Sequence, residues 1–462
     1  MPNDRSLEHM RRRPFAYADV FRHPPLPASA FSGGHIKADV PPEIAAVCKN
    51  ESNCTVFLSD GAWFTTWGQG SHEGHPDQRI VCAVSRDMGR TWTPPATVQA
   101  SCPEREENVA YGIPFVVPET DRIYVFFFVT ANTEGKLWAS EHRLDPARRR
   151  YPEHASGRLC YVCSDDRGVT WSPRCAIALP DRAVNVIHGR IHGWVNHPPQ
   201  VMPSGEVILT FSASRSTARP WQIGAAEVNV VRCDNILTER DPENLTFTLL
   251  PDGRHGIRTD LYTHWRNSAL RRLLDFFGGV PEDTGWSFQE MTVVPLSNDR
   301  WLGVGRTFLG SPGYTVSEDR GGAWTRAQPL CYAPDGEPIK HPMTMCPIAK
   351  TTDGRVVLLF TNNDGSDRGA QHVWDGDGRT RNPQYIVVGR QIPGETRNTG
   401  LVFGKPLVLA DVDDTGDVNL KTGISMPQFF ERDGRYFVCY NINKEHILLD
   451  EIPADVMDGL TP

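Results

Sequence analysis

"SRDMGRTW" occupies residues 85–92, and the chain returns to it as "SDDRGVTW" at 164–171 and "SEDRGGAW" at 317–324. Ser, Asp, Gly and Trp hold the same offsets each time. Between the second and third copies, "NLTFTLLP" sets Phe247 in the aromatic slot, and after the third "LVFGKPLVL" sets Phe403 there. The ladder 92, 171, 247, 324, 403 then climbs in steps of 79, 76, 77 and 79 residues. Aromatic residues spaced this evenly beside matching turn residues mark repeated architecture.

A second marker counts the same units. Six short strand pairs are joined by tight turns: "VFLSDGAWFTTW", "VVPETDRIYVFFF", "VMPSGEVILTF", "VVPLSNDRWLGVGR", "AKTTDGRVVLLF" and "FFERDGRYFVCY". Apolar runs flanking a turn dipeptide are hairpin signals. Amphipathic helical stretches are scarce, with "SALRRLLDFF" (268–277) the one good candidate, in an insertion at about 255–280.

Bulk properties narrow the class. The 462 residues are 39% hydrophobic and 23% charged, which gives a globular chain with ample core material. A net charge of −8 argues against nucleic acid or an anionic membrane surface as partner. No apolar run is long enough to span a bilayer. The opening "MPNDRSLEHMRRRPFAYADV" lacks the apolar stretch of a secretory signal, and Arg11–Arg13 read as part of a solvated tail over about 1–13. Eleven cysteines without a compact framework point to reduced, mostly buried thiols and a cytoplasmic setting. The one close pair, Cys160 and Cys163, lies on a strand pattern.

A unit of about 75–80 residues holding four short strands suits a propeller blade. The last unit stops one strand short, and "PFAYADVF" (14–21) is placed to supply it. The expected fold is therefore all-β: one domain over 1–462, a six-bladed β-propeller of four-stranded antiparallel blades, closed by pairing of the two terminal segments.

The repeated phrase resembles the Asp-box of the sialidase superfamily. The resemblance implies that Asp87, Trp92, Asp166, Trp171, Asp319 and Trp324 are structural, on the face opposite the active site. In the phrase itself, the Asp can accept from the turn's own N–H groups and the Gly supplies positive φ. The other face then collects the loops that approach each first strand or join second to third strands. Eleven of the fifteen histidines fall in those loops.

Sialidases place a Glu at the start of the first strand and an Arg at the end of the second strand of the fourth blade. "SFQEMTVVPLSNDRWLGVGRTF" has Glu290 and Arg306 there. The resemblance implies that Arg306 clamps a substrate carboxylate and that Glu290 orients and polarises the nucleophile; bidentate geometry suits the first role. An inner-strand salt bridge between the two is the alternative. In the fifth blade, "GDGRTRNPQYIVVGR" is similar to the segment carrying a further clamp residue, with Arg381 preferred to Arg379.

Proton-transfer candidates lie elsewhere on the rim. "GQGSHEGHPDQRI" stands where sialidases carry an acid/base Asp, and offers His72, Glu73, His75 and Asp77. "NVIHGRIHGWVNHPPQ" brings His188, Arg190, His192, Asn196 and His197 toward the axis, with His197 ahead of a Pro pair. Asn108 and Tyr111, His341, and Lys444 complete the expected substrate-binding rim. Two ligands, His72 and His75, do not make a metal site. Neither metal nor other cofactor is expected.

Two departures from sialidases matter. "CKNESNCTVFLSDG" lacks the Arg of the family's first strand and has only Lys49 nearby, and "GISMPQFF" puts Ser425 or Met426 where the nucleophilic Tyr would stand. The leading expectation is an exo-acting glycosidase on an acidic or deoxy-sugar glycan, with an oligosaccharide or polysaccharide substrate. In it Arg306 and Arg381 bind the anionic group, Glu290 orients or polarises, and His72, His75 or His197 transfers the proton. A lyase acting at a uronate and a non-catalytic glycan- or protein-binding propeller are the alternatives. Oligomeric state is not legible.

Overall fold

The computed structural model describes residues 10–22, 31–32, 35–36, 47–71, 77–105, 107–131, 156–182, 186–187, 190–195, 197–214, 226–259, 287–307, 309–364, 381–412 and 423–462. Six antiparallel blades follow one another around an axis. The first is Lys49–Phe57, Trp63–Gly70, Arg79–Ser85 and Ala96–Ala100. The second is Glu107–Val116, Ile123–Ala131, Ser156–Ser164 and Cys175–Ala176. The third comprises Gln200–Val201, Val207–Ser214, Ala226–Cys233 and Phe247–Leu250, and the fourth Phe288–Pro295, Trp301–Thr307, Gly313–Ser317 and Gln328–Pro329. The fifth is Ile348–Lys350, Val356–Phe360, Gln384–Gln391 and a split outer strand, Leu401–Phe403 with Leu407–Val412. The sixth is Ile424–Arg432, Arg435–Ile442 and His446–Ile452, closed by Ala16–Phe21 from the other end of the chain. The propeller and its terminal closure are those expected from the repeat.

The core is divided among the blades. Six apolar clusters are present among the described residues, each lying mainly between one adjacent pair of blades. The run "IYVFFFVTA" shows why the strands are so apolar. Tyr124, Phe126 and Phe128 pack toward the third blade, while Ile123, Val125, Phe127 and Val129 pack toward the first. A strand buried on both faces needs apolar residues at every position, so it reads as a continuous run instead of an alternating one.

The repeated phrase lies between the third and fourth strands of its blades, as expected. Ser85 Oγ accepts from Gly89 N–H at 2.8 Å, and Asp87 Oδ1 accepts from Thr91 N–H at 2.8 Å. Asp87 also accepts from the Thr91 hydroxyl at 2.6 Å and from Ser85 Oγ at 2.8 Å, and these bonds, led by that of the Thr91 hydroxyl, pull its carboxyl down to about 2. The aromatic slots all serve one purpose. Trp92, Trp171, Phe247, Trp324 and Phe403 each pack into the layer facing the preceding blade. Gly89 is required twice over: its φ is 82°, and a Cβ there would lie 2.7 Å from Leu449 Cδ2 of the sixth blade.

Three features depart from the sequence reading. Arg11 and Arg12 are exposed, but the stretch through Arg13 is not a free tail. Met10–Arg12 pair with the outer edge of the fifth blade at Asp411 and Val412, and Arg13 bonds Asp450 of the sixth at 2.6 Å. An unpaired edge and a buried carboxylate both demand partners, and this basic stretch supplies them. A short helix at Ala454–Leu460, which no helical pattern announced, packs Met457 and Leu460 between the fifth and sixth blades. Finally, Arg190–Trp194 pairs with Ser212–Ser214 of the third blade and, through Ile191, with Gly157 of the second. The helix expected at 268–277 lies outside the described residues. All eleven cysteines are free and eight are buried, Cys160 and Cys163 among them on a strand. No helix among the described residues is long and apolar enough to cross a membrane.

Candidate functional site

The best-defined polar group at the loop face is in the fourth blade. Its innermost strand pairs Gln289 with Arg306 and resumes with Thr292 opposite Val304, so Glu290 and Met291 face the single residue Gly305. This is a β-bulge, which re-aims the extra residue. Only glycine fits opposite it, because a Cβ on Gly305 would sit 2.6 Å from the Gln289 carbonyl oxygen. Glu290 takes a left-handed conformation, φ 52°, and its N–H donates to Ser212 Oγ of the third blade at 2.8 Å. A non-glycine residue held there costs about 1 kcal/mol, a strain that functional sites commonly carry.

Arg306 Nη1 donates to Glu290 Oε1 at 3.0 Å, with side-chain exposures of 15% and 5%. The two residues therefore form the inner-strand salt bridge, yet the pair is not saturated. Glu290 Oε2 and Arg306 Nε are both buried without a hydrogen-bond partner among the described residues. Buried polar atoms are normally satisfied, and exceptions point to a functional site.

The flanking groups come from the fifth blade. His341 is fully buried, with Nε2 donating to the Thr344 carbonyl at 3.0 Å and Nδ1 accepting from Thr361 N–H at 3.3 Å. Burial drives its pKa down to about 3, and the Arg306 and Arg381 guanidiniums push the same way. Both arginines thus act on one neutral imidazole. Arg381 is half-buried, and its carbonyl accepts from Ile424 N–H of the sixth blade at 3.2 Å. The Cys346 thiol lies close enough that the Glu290 carboxylate adds to the upward shift caused by its burial. Two guanidiniums, one carboxylate and one neutral imidazole leave this group with one net positive charge.

In the sixth blade the innermost strand bulges identically, with Met426 at φ 53° and Pro427 beyond it, opposite Tyr440. Ser425 is instead held by its hydroxyl on Asn441 Oδ1 at 2.6 Å. Met426, not Ser425, is the counterpart of Glu290.

The pattern of the BNR repeat-like domain matches residues 61–437, most of the chain. The protein belongs to that family. No curated protein sequence matches it. Among solved structures, the chain is similar to the Hadza microbial sialidase Hz136, with TM-score 0.57 and 14% identity over 89% of this chain and 66% of the other. It is also similar to the NanB sialidase from Streptococcus pneumoniae, with TM-score 0.54 and 11% identity over 89% and 69%. A Dyadobacter fermentans protein of unknown function matches with TM-score 0.56 and 12% identity over 96% and 99%. At such identities the likeness is one of fold. The chain spans about two thirds of the length of the two sialidases.

Within this BNR repeat-like propeller the remaining candidates fall out unevenly. His72 and His75, with Arg379, lie outside the described residues, as do the side chains of Arg190 and His192. Asp77 is exposed, and its carboxylate accepts from Ser71 N–H at 3.2 Å, closing the loop it terminates. His197 occupies a break in the third blade, where five residues, 195–199, oppose three on the second strand. It is buried, its Nε2 has no partner among the described residues, and burial lowers its pKa to about 3. A base that weak is a poor proton acceptor near neutrality. Asn108 is buried, with Oδ1 accepting from Ser101 Oγ at 2.8 Å.

Two rim expectations are corrected. His341 is not available to a substrate, because both ring nitrogens are engaged by the protein and none of the residue is exposed. Lys444 is likewise buried, with Nζ 2.8 Å from Glu51 Oε2, while Gln78 Nε2 donates to Glu51 Oε1 at 3.2 Å. A fully buried carboxylate requires a countercharge, and the lysine two residues before the last blade's third strand provides it. Sequence reasoning missed this pair because Glu51 and Lys444 are far apart in the chain. It also missed Ser212 and the bulges, since Ser, Glu and Met carry no signature of a left-handed residue.

Proposed function

We propose that this protein is a carbohydrate-active enzyme that hydrolyses a terminal acidic sugar from an oligosaccharide or polysaccharide. The observation that carries the reading is the Glu290–Arg306 pair: a carboxylate buried on a strained residue and a partly buried guanidinium, each with one polar atom unpartnered among the described residues, with Arg381 acting on the same imidazole as Arg306. A net positive group with open hydrogen-bonding atoms suits an anionic substituent such as a sugar carboxylate. Glu290 also suits stabilisation of positive charge developing on the sugar ring. Proton transfer is assigned to the first blade's loop ending at Asp77, which contains His72 and His75.

Met426 at the bulge of the sixth blade favours a route without a tyrosyl intermediate, and so keeps a second reading open: β-elimination at a uronate, in which Arg306 and Arg381 neutralise the carboxylate. One experiment separates the two. The protein is incubated with sialosides, rhamnosyl-glucuronate glycans and arabinans, while new reducing ends and the absorbance of unsaturated sugar are followed together. Reducing ends alone support hydrolysis; unsaturated product turns the assignment to a lyase. Arg306→Ala is expected to lower kcat/KM by on the order of a hundredfold. Absence of any product across the panel overturns the enzymatic reading.

A further inference from the structure

Four of the six innermost strands break in the same manner. Two residues oppose one at Ser52–Asn53 against Trp67, Tyr111–Gly112 against Phe127, Glu290–Met291 against Gly305, and Met426–Pro427 against Tyr440. In every case the first residue is left-handed, with φ of 55°, 61°, 52° and 53°. None is glycine, although glycine is the residue that conformation favours. A hydroxyl, a phenol, a carboxylate and a thioether have nothing in common except the place they are held.

The neighbouring blades hold the bulges rigid. Thr66 Oγ1 donates to the Gly112 carbonyl at 2.7 Å, and Thr210 Oγ1 to the Met291 carbonyl at 2.6 Å. Asn441 Nδ2 donates to Asn53 Oδ1 at 3.2 Å across the closure of the ring. Each of these donors belongs to the second strand of the preceding blade. Backbone strain persists where surroundings over-determine it in this way.

Blade packing does not account for three of the four side chains. Ser52 and Glu290 are polar, and Ser52 Oγ and Glu290 Oε2 are buried without a partner among the described residues. Met426 is buried but belongs to none of the six apolar clusters. Tyr111, the fourth, is half-buried and packs against the cluster between the second and third blades from outside it. A bulge lifts its extra residue out of the alternation that packs one blade on the next. On the strand that lines the axis, the direction left is inward.

We propose that the four bulges at Ser52, Tyr111, Glu290 and Met426 together shape one ligand-binding floor around the axis, with Ser52 supporting it from below and Met426 and Tyr111 setting specificity by packing on the C–H face of a sugar ring. Thioether and aromatic side chains make favourable contacts of this apolar kind while polar neighbours fix orientation. The inference rests on the glycan reading for the identity of the ligand, while the role of the four positions rests on their bulged backbone and on how their side chains are packed.

The test uses Ser52→Gly, Tyr111→Gly and Met426→Gly, each with the matching Ala variant, in the full chain. Thermal midpoints are measured together with binding of free N-acetylneuraminic acid, glucuronic acid and L-rhamnose. Glycine relieves the left-handed strain, so at Ser52 and Met426 it should match or exceed the parent's midpoint and exceed the Ala variant's. Binding of whichever sugar the parent takes should fall at least fivefold in Tyr111→Gly and Met426→Gly. Ser52→Gly or Met426→Gly melting well below the parent, or Tyr111→Gly and Met426→Gly binding the sugar unchanged, overturns the proposal. If the parent binds none of the three sugars, the glycan reading fails for them and the midpoints at Ser52 and Met426 alone decide: gain on glycine supports a floor kept at a cost to stability, and loss refutes it.

Discussion

Arg13 Nε donates to Asp450 Oδ1 at 2.6 Å, joining the segment before the first blade to the third strand of the last. Asp450 is fully buried and also accepts from the Tyr440 hydroxyl at 2.8 Å; Arg13 Nη2 reaches the Leu449 carbonyl at 3.0 Å. One guanidinium therefore holds the closing strand, Ala16–Phe21, against its neighbour.

Removing it should open the ring at this seam. Arg13→Ala leaves a carboxylate buried beside a single hydroxyl, and is expected to cost about 3 kcal/mol at neutral pH in a denaturant or thermal titration. Burial, the largest influence on Asp450, raises its pKa, against the downward pull of Arg13 and Tyr440. A protonated Asp450 needs no cation, so the penalty should shrink as pH falls through that raised value. Arg13→Met with Asp450→Leu should recover much of the loss. A penalty independent of pH, or under half a kcal/mol, contradicts the latch.

The Asp-box glycine Gly89 and the hairpin-turn glycine Gly205 of the third blade together offer a test of architecture. Gly89 and Gly205 have φ of 82° and 94°, but a Cβ on Gly89 meets Leu449 and Trp63, whereas one on Gly205 meets nothing within 4 Å. Gly205→Ala should cost about 1 kcal/mol, the left-handed penalty alone. Gly89→Ala adds overpacking against the sixth blade and should cost about 3 kcal/mol. Equal midpoints for the two variants would deny that the box seats one blade on another.

How far the sequence foretells this molecule follows from which interactions are periodic. Trp92, Trp171 and Trp324 recur because every blade must fill the same layer against its predecessor, so spacing alone reveals the propeller. Glu290 and Arg306 stand out in the sequence because their strand positions resemble those of a known superfamily, and one strand register brings them together. Lys444 misleads because nothing local announces its partner Glu51, some four hundred residues earlier in the chain. His341 misleads for a related reason: a loop-like stretch, "KHPMTMCP", folds under the rim instead of along it. The left-handed residues Ser52, Tyr111 and Met426 are silent, since backbone strain is paid by context and not by composition.

Two of the buried histidines, His197 and His341, give a pH signature. Burial alone holds His197 neutral, and burial with the nearby Arg306 and Arg381 does the same for His341; both pKa values fall to about 3. In the unfolded chain each would titrate near ~6.5. Between those limits the unfolded state binds more protons, so stability is complete above pH ~6.5 and declines as the solution is acidified. Each histidine should add about 1.4 kcal/mol per pH unit to that decline over the middle of the window. His197→Gln removes one such contribution, and its stability measured from pH 6 down to 4 should fall less steeply than the parent's by about that amount. His341→Gln should behave similarly, with an added loss at every pH because Thr344 and Thr361 lose a well-placed partner. Parallel slopes for the parent and His197→Gln would mean that the imidazole is reachable by protons in the folded state, and is not the closed, neutral group described above.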